Sequence, residues 1–171
     1  AVGFFVERLN AALSRDAAQL LGADLLVRSD YPVREEWRTK AQQLGLVMAD
    51  TVTFPSMAST GKDDTADTRL VAVKAVTSSY PLRGAVTVAL SGQPALAKAI
   101  PASGSVWVES AFLATRSVNL GDKLQLGERE FLIAGEILLE QDRGAGFMNF
   151  APRVMLSFDD LPSTGLVQNG S

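Results

Sequence analysis

Apolar positions along the chain repeat at two different spacings, and the change between them divides the sequence. At the start, Phe5, Leu9, Ala12, Leu13, Leu20 and Leu21 recur at helical spacing, with Glu7, Arg8, Asn10, Arg15 and Asp16 between them on the other face. This predicts a helix from about Gly3 to Leu21, with Gly22 as its stop. Ala23 to Ser29 (ADLLVRS) reads as a short buried strand. Pro32 opens a second helix, VREEWRTKAQQLG, with Trp37, Ala41 and Leu44 on one face and Gly45 at its end. Leu46 to Ser59 and Thr68 to Val76 follow as long strand candidates on either side of the polar turn GKDDTAD.

After Tyr80 the texture becomes rich in Pro, Gly and Ser and reads as a connection carrying one short strand, Ala85 to Leu90. Alternation then dominates. SVWVES is a strand, SAFLATRSV a short helix, DKLQLG and REFLIAGEILLE are strands around a Gly-Glu turn, PRVMLSF is another strand, and DDLPSTGLV is a turn with a brief helical piece. The expected fold class is α+β in two lobes. Residues 1–84 make an α/β lobe ordered helix-strand-helix-strand-strand, and residues 85–171 a linker and a smaller, mostly β lobe. No internal repeat is visible.

Composition narrows the chemistry. With 47% hydrophobic and 20% charged residues, the 171-residue chain can fold around a packed core. Its 16 Lys and Arg against 19 Asp and Glu argue against a nucleic-acid partner, which needs a concentrated positive surface. Cysteine and histidine are both absent, which removes thiol nucleophiles, zinc-thiolate sites and the Ser-His-Asp triad. No apolar run is long enough to span a bilayer, and the start lacks the basic leader and cleavage site of a signal peptide. Phe4 and Phe5 read either as core residues or as the tail of an apolar segment.

Several short patterns invite a chemical reading. Arg143-Gly144-Ala145-Gly146 has the glycines of a phosphate loop but leads toward a strand, without the Lys-Ser or Lys-Thr that handles phosphate and magnesium. Asp63, Asp64 and Asp67 lack the ligand spacing of a calcium loop and read as a solvated turn. Glu136 and Glu140 would share one strand face unless a bulge intervenes, with Asp142 close behind. Ser56 with Lys74 is a conceivable nucleophile and base, without a supporting motif. Asn169-Gly170-Ser171 matches a glycosylation triplet by chance composition. Asp142, Arg143 and Arg153 bracket two glycines together with Phe147 and Phe150.

Four longer pieces, in order, carry a resemblance: ERLNAAL with LLGADLLVRSDYPV, TVTFPSM with LVAVKAVTSSYPLRG, SVWVESAFLATRSVNLGDKLQLGEREFLIAGEI, and DRGAGFMNFAPRVMLSFDDLPSTGLVQNGS. Together they resemble the extracytoplasmic core domain of MacB-like and FtsX-like ABC transporter permeases, in particular the predicted lysophospholipase-linked permease branch. The resemblance implies a part without catalysis, cofactor or metal. A cytosolic ATPase would act through the full permease, and membrane helices would flank the domain. An unidentified substrate or protein would meet it outside a bacterial cell membrane, on the periplasmic or exterior side. AVGFF would then be the stub of a membrane helix. Family members complete their first lobe with a strand and helix returning after the second; with the sequence ending at Ser171, an open sheet edge or apolar face is expected in that lobe. On this reading Tyr80, Arg83, Asp142, Arg143, Phe147 and Arg153 hold the joint or touch a partner. The alternatives are a stand-alone secreted module binding a lipid or peptide, and an enzyme working through carboxylates alone.

Overall fold

The computed structural model describes residues 2–61, 67–114, 118–143 and 150–167. Helix α1 (Val2–Leu21) ends where the sequence places its stop, with Gly22 in the left-handed conformation at φ +68°. Helix α2 (Glu35–Gln43) is shorter than expected, opening at Glu35 rather than near Pro32. It is tied down by Arg38, whose two terminal nitrogens donate to Asp50 at 2.8 and 3.1 Å. That hydrogen bond and the carboxylate charge raise the Arg38 pKa.

Eight strands follow: β1 (Thr51–Thr60), β2 (Asp67–Val76), β3 (Val86–Leu90), β4 (Gln93–Ala97), β5 (Ser105–Glu109), β6 (Lys123–Leu126), β7 (Arg129–Glu140) and β8 (Arg153–Ser157). They form one sheet in the order β4-β3-β7-β5-β8-β2-β1-β6. Because β6 also pairs with β7, six of the strands close into a barrel, and the β3–β4 hairpin hangs on the far half of β7. A one-turn helix, α3 (Ser110–Leu113), follows β5, and a 3₁₀ segment (Phe158–Thr164) follows β8.

Strand alternation builds two cores from one wall. Val71, Val73 and Ala75 of β2, Val106 and Val108 of β5, and Val154 and Leu156 of β8 point into the barrel with Phe112, Phe131 and Ile133. Residues between them face outward, where Val76, Trp107 and Met155 pack with Tyr80, Val86, Val88 and Ile137 beneath the hairpin. Strand β7 serves both cores because its register shifts twice, skipping Ala134 against β5 and Leu138 against β3. Gly135 sits between these shifts because the second core leaves no room for more. A Cβ there would lie 2.7 Å from Trp107 and 2.9 Å from Leu90 and Val88.

Expectations for individual elements need correction. Ala23 to Ser29 is not a strand: among the described residues no strand pairs with it, and Leu25 and Val27 are exposed. The Trp37 and Leu44 face of α2 is exposed, with no layer packed over it among the described residues. Strand β1 begins at Thr51, five positions after Leu46, and β4 occupies part of the stretch read as connection. Ser91 and Gly92, both at positive φ, form the two-residue turn that makes the β3–β4 hairpin. Strands from both sides of the expected 84/85 boundary meet in one sheet: β2 pairs in parallel with β8, and β1 pairs antiparallel with β6.

Candidate functional site

A charged network lies on the outer wall of the barrel, beside the second core. Its centre is Lys74, which interrupts the apolar run of β2 and points away from the barrel interior. The Lys74 ammonium donates to Glu140 Oε1 at 2.7 Å, Asp142 Oδ2 at 2.9 Å and the Tyr80 hydroxyl at 2.9 Å. Tyr80 in turn donates to Asp142 Oδ1 at 2.5 Å. Glu140 spends its other oxygen on Arg153 Nε at 2.8 Å, and both side chains are almost wholly buried.

The network continues past Arg153. Its backbone N–H donates to Glu109 Oε2 at 3.1 Å, and Arg143 binds the other oxygen of Glu109 and the carbonyl of Ala151. At the opposite end, Asp142 lies against Gly22, where a Cβ would come within 3.0 Å of Oδ2. The Arg83 N–H donates to the Gly22 carbonyl at 2.9 Å, and the Arg83 guanidinium grips Asp24 at 2.7 and 2.9 Å in the open.

Charges held this way cost desolvation, and only full pairing offsets it. Burial by itself would raise the Glu140 pKa, but the charges of Lys74 and Arg153 and their hydrogen bonds outweigh it and hold the carboxyl below its ordinary 4.5. Burial pushes the Tyr80 phenol far above its ordinary value, and the negative charge of Asp142 adds to the effect. The exposed Asp24 is lowered chiefly by its hydrogen bond to Arg83. Arg153 Nη1 and Gln141 Oε1 are buried with no hydrogen-bond partner among the described residues. Such an arrangement ties strands β2, β7 and β8 together beside the exit of α1.

Of the residues singled out in the sequence, Tyr80, Asp142 and Arg153 share the Lys74–Glu140 centre, Arg143 joins through Glu109, and Arg83 stands at the α1 end. Phe147 and the Gly144–Gly146 loop lie outside the described residues, as do Asp63, Asp64 and the Asn169 triplet. Ser56 does not meet Lys74: on the β1–β2 ladder it faces Val71, while Lys74 faces Thr53. Glu136 and Glu140 are separated by the skipped Leu138, which turns Glu140 inward and leaves Glu136 on the other face. The three residues the reading of joint positions missed, Lys74, Glu140 and Glu109, had a signal. A lone Lys within LVAVKAV and acids closing two apolar strands are charges that burial obliges to pair.

A second buried carboxylate, Asp160, accepts from the Ser103 hydroxyl, the Gly104 N–H and Arg129 at 2.7 to 2.8 Å. Burial opposes its charge, but these donors lower its pKa overall. Elsewhere a surface hollow is lined by Ser29, Tyr31, Pro32, Val33, Arg34 and Trp37. Among the described residues no three acids gather to hold a metal ion, and no helix is long and apolar enough to cross a membrane.

No family model matches the chain. It is 33% identical, over all 171 of its residues, to an uncharacterized ABC transporter permease, YbbP, of Escherichia coli strain K12. The chain spans 20% of that relative's length.

Proposed function

We propose that the chain is a non-catalytic, extracytoplasmic domain of an ABC transporter permease. It would be of the MacB-like and FtsX-like kind, in the predicted lysophospholipase-linked branch. The observation that carries the proposal is the identity to a permease along the whole chain, covering one fifth of that longer protein. In this reading an ATPase on the cytosolic side drives the complete transporter. The domain faces the periplasm or cell exterior and meets a substrate or partner protein there.

The geometry supports a mechanical part. A closed barrel is stiff, and its outer wall carries a paired charge network ending on the exit of α1. The two lobes then take a revised form. The barrel with its hairpin is one part, and residues 2–50 are the other, with Tyr80, Arg83, Asp142, Arg143 and Arg153 at or near the joint. Leu25, Val27, Trp37, Leu44 and Val47, all exposed, are where the remainder of a longer permease would pack.

These 171 residues carry no cysteine, so in a complete gene product cleared of any others a single introduced thiol reports the orientation. Leu96→Cys, on the exposed outer strand β4, is introduced into the complete gene product and intact cells are treated with a membrane-impermeant maleimide. Labelling without lysis is expected. Labelling only after lysis overturns the proposal, and label found on a protein released from the cells identifies a free secreted module instead.

A further inference from the structure

Helix α1 and the barrel meet through very little. Side chains described between Glu7 and Ala17 are exposed, and neither apolar core takes a described residue from α1. The burial at the helix exit amounts to Gly22 and the single methyl group of Ala23; from Asp24 onward the chain is exposed again. Among the described residues, the contacts that cross at the helix exit are the Arg83 N–H on the Gly22 carbonyl, the solvent-facing Arg83–Asp24 pair, and Gly22 lying on Asp142.

The seat does not need the helix. Both oxygens of Asp142 are already engaged by Lys74 and Tyr80, which also bond each other, and Lys74 is anchored in turn by Glu140. Undocking Gly22 would leave the Asp142 carboxylate paired. The two polar contacts that would break, a carbonyl and a surface ion pair, can be taken over by water.

From this we infer that the α1 exit is a separable joint: Gly22 docks on the Asp142 seat and leaves it while the barrel stays unchanged. Gly22 answers two demands there. Its φ of +68° favours glycine on backbone grounds, and the approach to Asp142, 3.0 to 3.2 Å from a Cβ to three side-chain atoms, leaves little space for any other residue. The seat is half of the contact, because its ion network holds the Asp142 carboxylate rigid and it cannot easily swing aside. The inference rests on the permease reading only for what moves α1, not for the existence of the joint.

Asparagine separates the two demands, because it tolerates the left-handed conformation yet carries a Cβ. Spin labels at Arg15→Cys on α1 and Leu96→Cys on β4, in the complete gene product cleared of other cysteines, report the α1–barrel distance by pulsed electron resonance. Labels at Met57→Cys and Leu96→Cys report the barrel alone. Gly22→Asn should raise the undocked population roughly five- to thirty-fold, the response to a perturbation of ordinary mutational size. Asp24→Ala should raise it less, and the barrel pair should not move. Unchanged α1–barrel distances in both variants would overturn the joint, as would a barrel distance that shifts alongside them. A non-hydrolysable ATP analogue added to the complete transporter with its ATPase then tests the permease reading separately. If Gly22→Asn opens the joint while the analogue moves nothing, the joint stands and the transport reading falls.

Discussion

The first 50 residues and the barrel are built from similar apolar side chains and treat them in opposite ways. Leu20, Leu25, Trp37, Leu44 and Val47 are each more than half exposed, whereas Val71, Val73, Val106, Val108, Ile133 and Leu156 are fully buried. Intrinsic hydrophobicity does not distinguish them. The barrel supplies its own partners: each of its strands lies between two others and turns one face to the inner core, and β2, β5, β7 and β8 give residues of the other face to the second. The helical region has correct amphipathic spacing, yet among the described residues no layer covers its exposed leucines, valines and Trp37. A hydrophobic pattern specifies which face should be covered and leaves open what covers it.

The strongest way to break that contrast is to put a fault in the barrel wall. Lys74→Met leaves Glu140 buried beside Arg153 alone and removes a donor from Asp142 and Tyr80. A loss of about 3–5 kcal/mol in unfolding stability is expected, from urea titration followed by Trp107 fluorescence in a Trp37→Phe background. A loss under about 1 kcal/mol would mean that the site admits water and that the wall is softer than its burial indicates.

Changing pH probes the same wall more gently. The Glu140 and Asp160 carboxyls are depressed in the fold, so each contributes stability that is present above its unfolded value and lost as pH falls through the folded one. Tyr80 is shifted the other way, so its contribution is present below its ordinary 10.0 and is lost as pH rises beyond that value. Unfolding midpoints should therefore hold a plateau between about pH 5 and about pH 10 and fall on both sides. In a Tyr31→Phe variant, phenolate absorbance should appear only together with unfolding. Phenolate formation in a still-folded barrel would count against the buried network.

The smallest effect is expected in the helical region. Trp37→Ala should change barrel stability by less than about 0.5 kcal/mol, because the side chain is half-exposed and belongs to neither core. A larger loss would show that the two regions are coupled through α2 and its Arg38–Asp50 tie.

Much of the local structure was legible in the chain. The stop at Gly22, the strands around Val73, Val106 and Ile133, and the helical piece after β8 follow from spacing and turn residues. ADLLVRS misled because strand propensity is local while strand pairing is not. Closure of the barrel was illegible for the same reason: nothing in LVAVKAV or RVMLS says that they lie side by side. The charge network was legible in part. Asp142, Arg143 and Arg153 stood out as charges beside glycine and aromatics, but Glu140 reaches Lys74 only because β7 skips Leu138, and no residue in GEILLE announces that shift.

The parallel pairing of β2 with β8 also governs the order of events during synthesis. Val76 is made long before Arg153, the first residue of the strand that covers its flank. At ~5–20 residues per second that interval lasts roughly 4–15 s. Throughout it β2 presents an unsatisfied edge of Val, Ala and Leu, the kind of edge that invites pairing with another chain. Lys74 is on that strand from the beginning, a charge that disfavours stacking against a neighbour until Glu140 and then Arg153 arrive. The residue that ends up at the centre of the buried network is thus also the guard of a nascent edge.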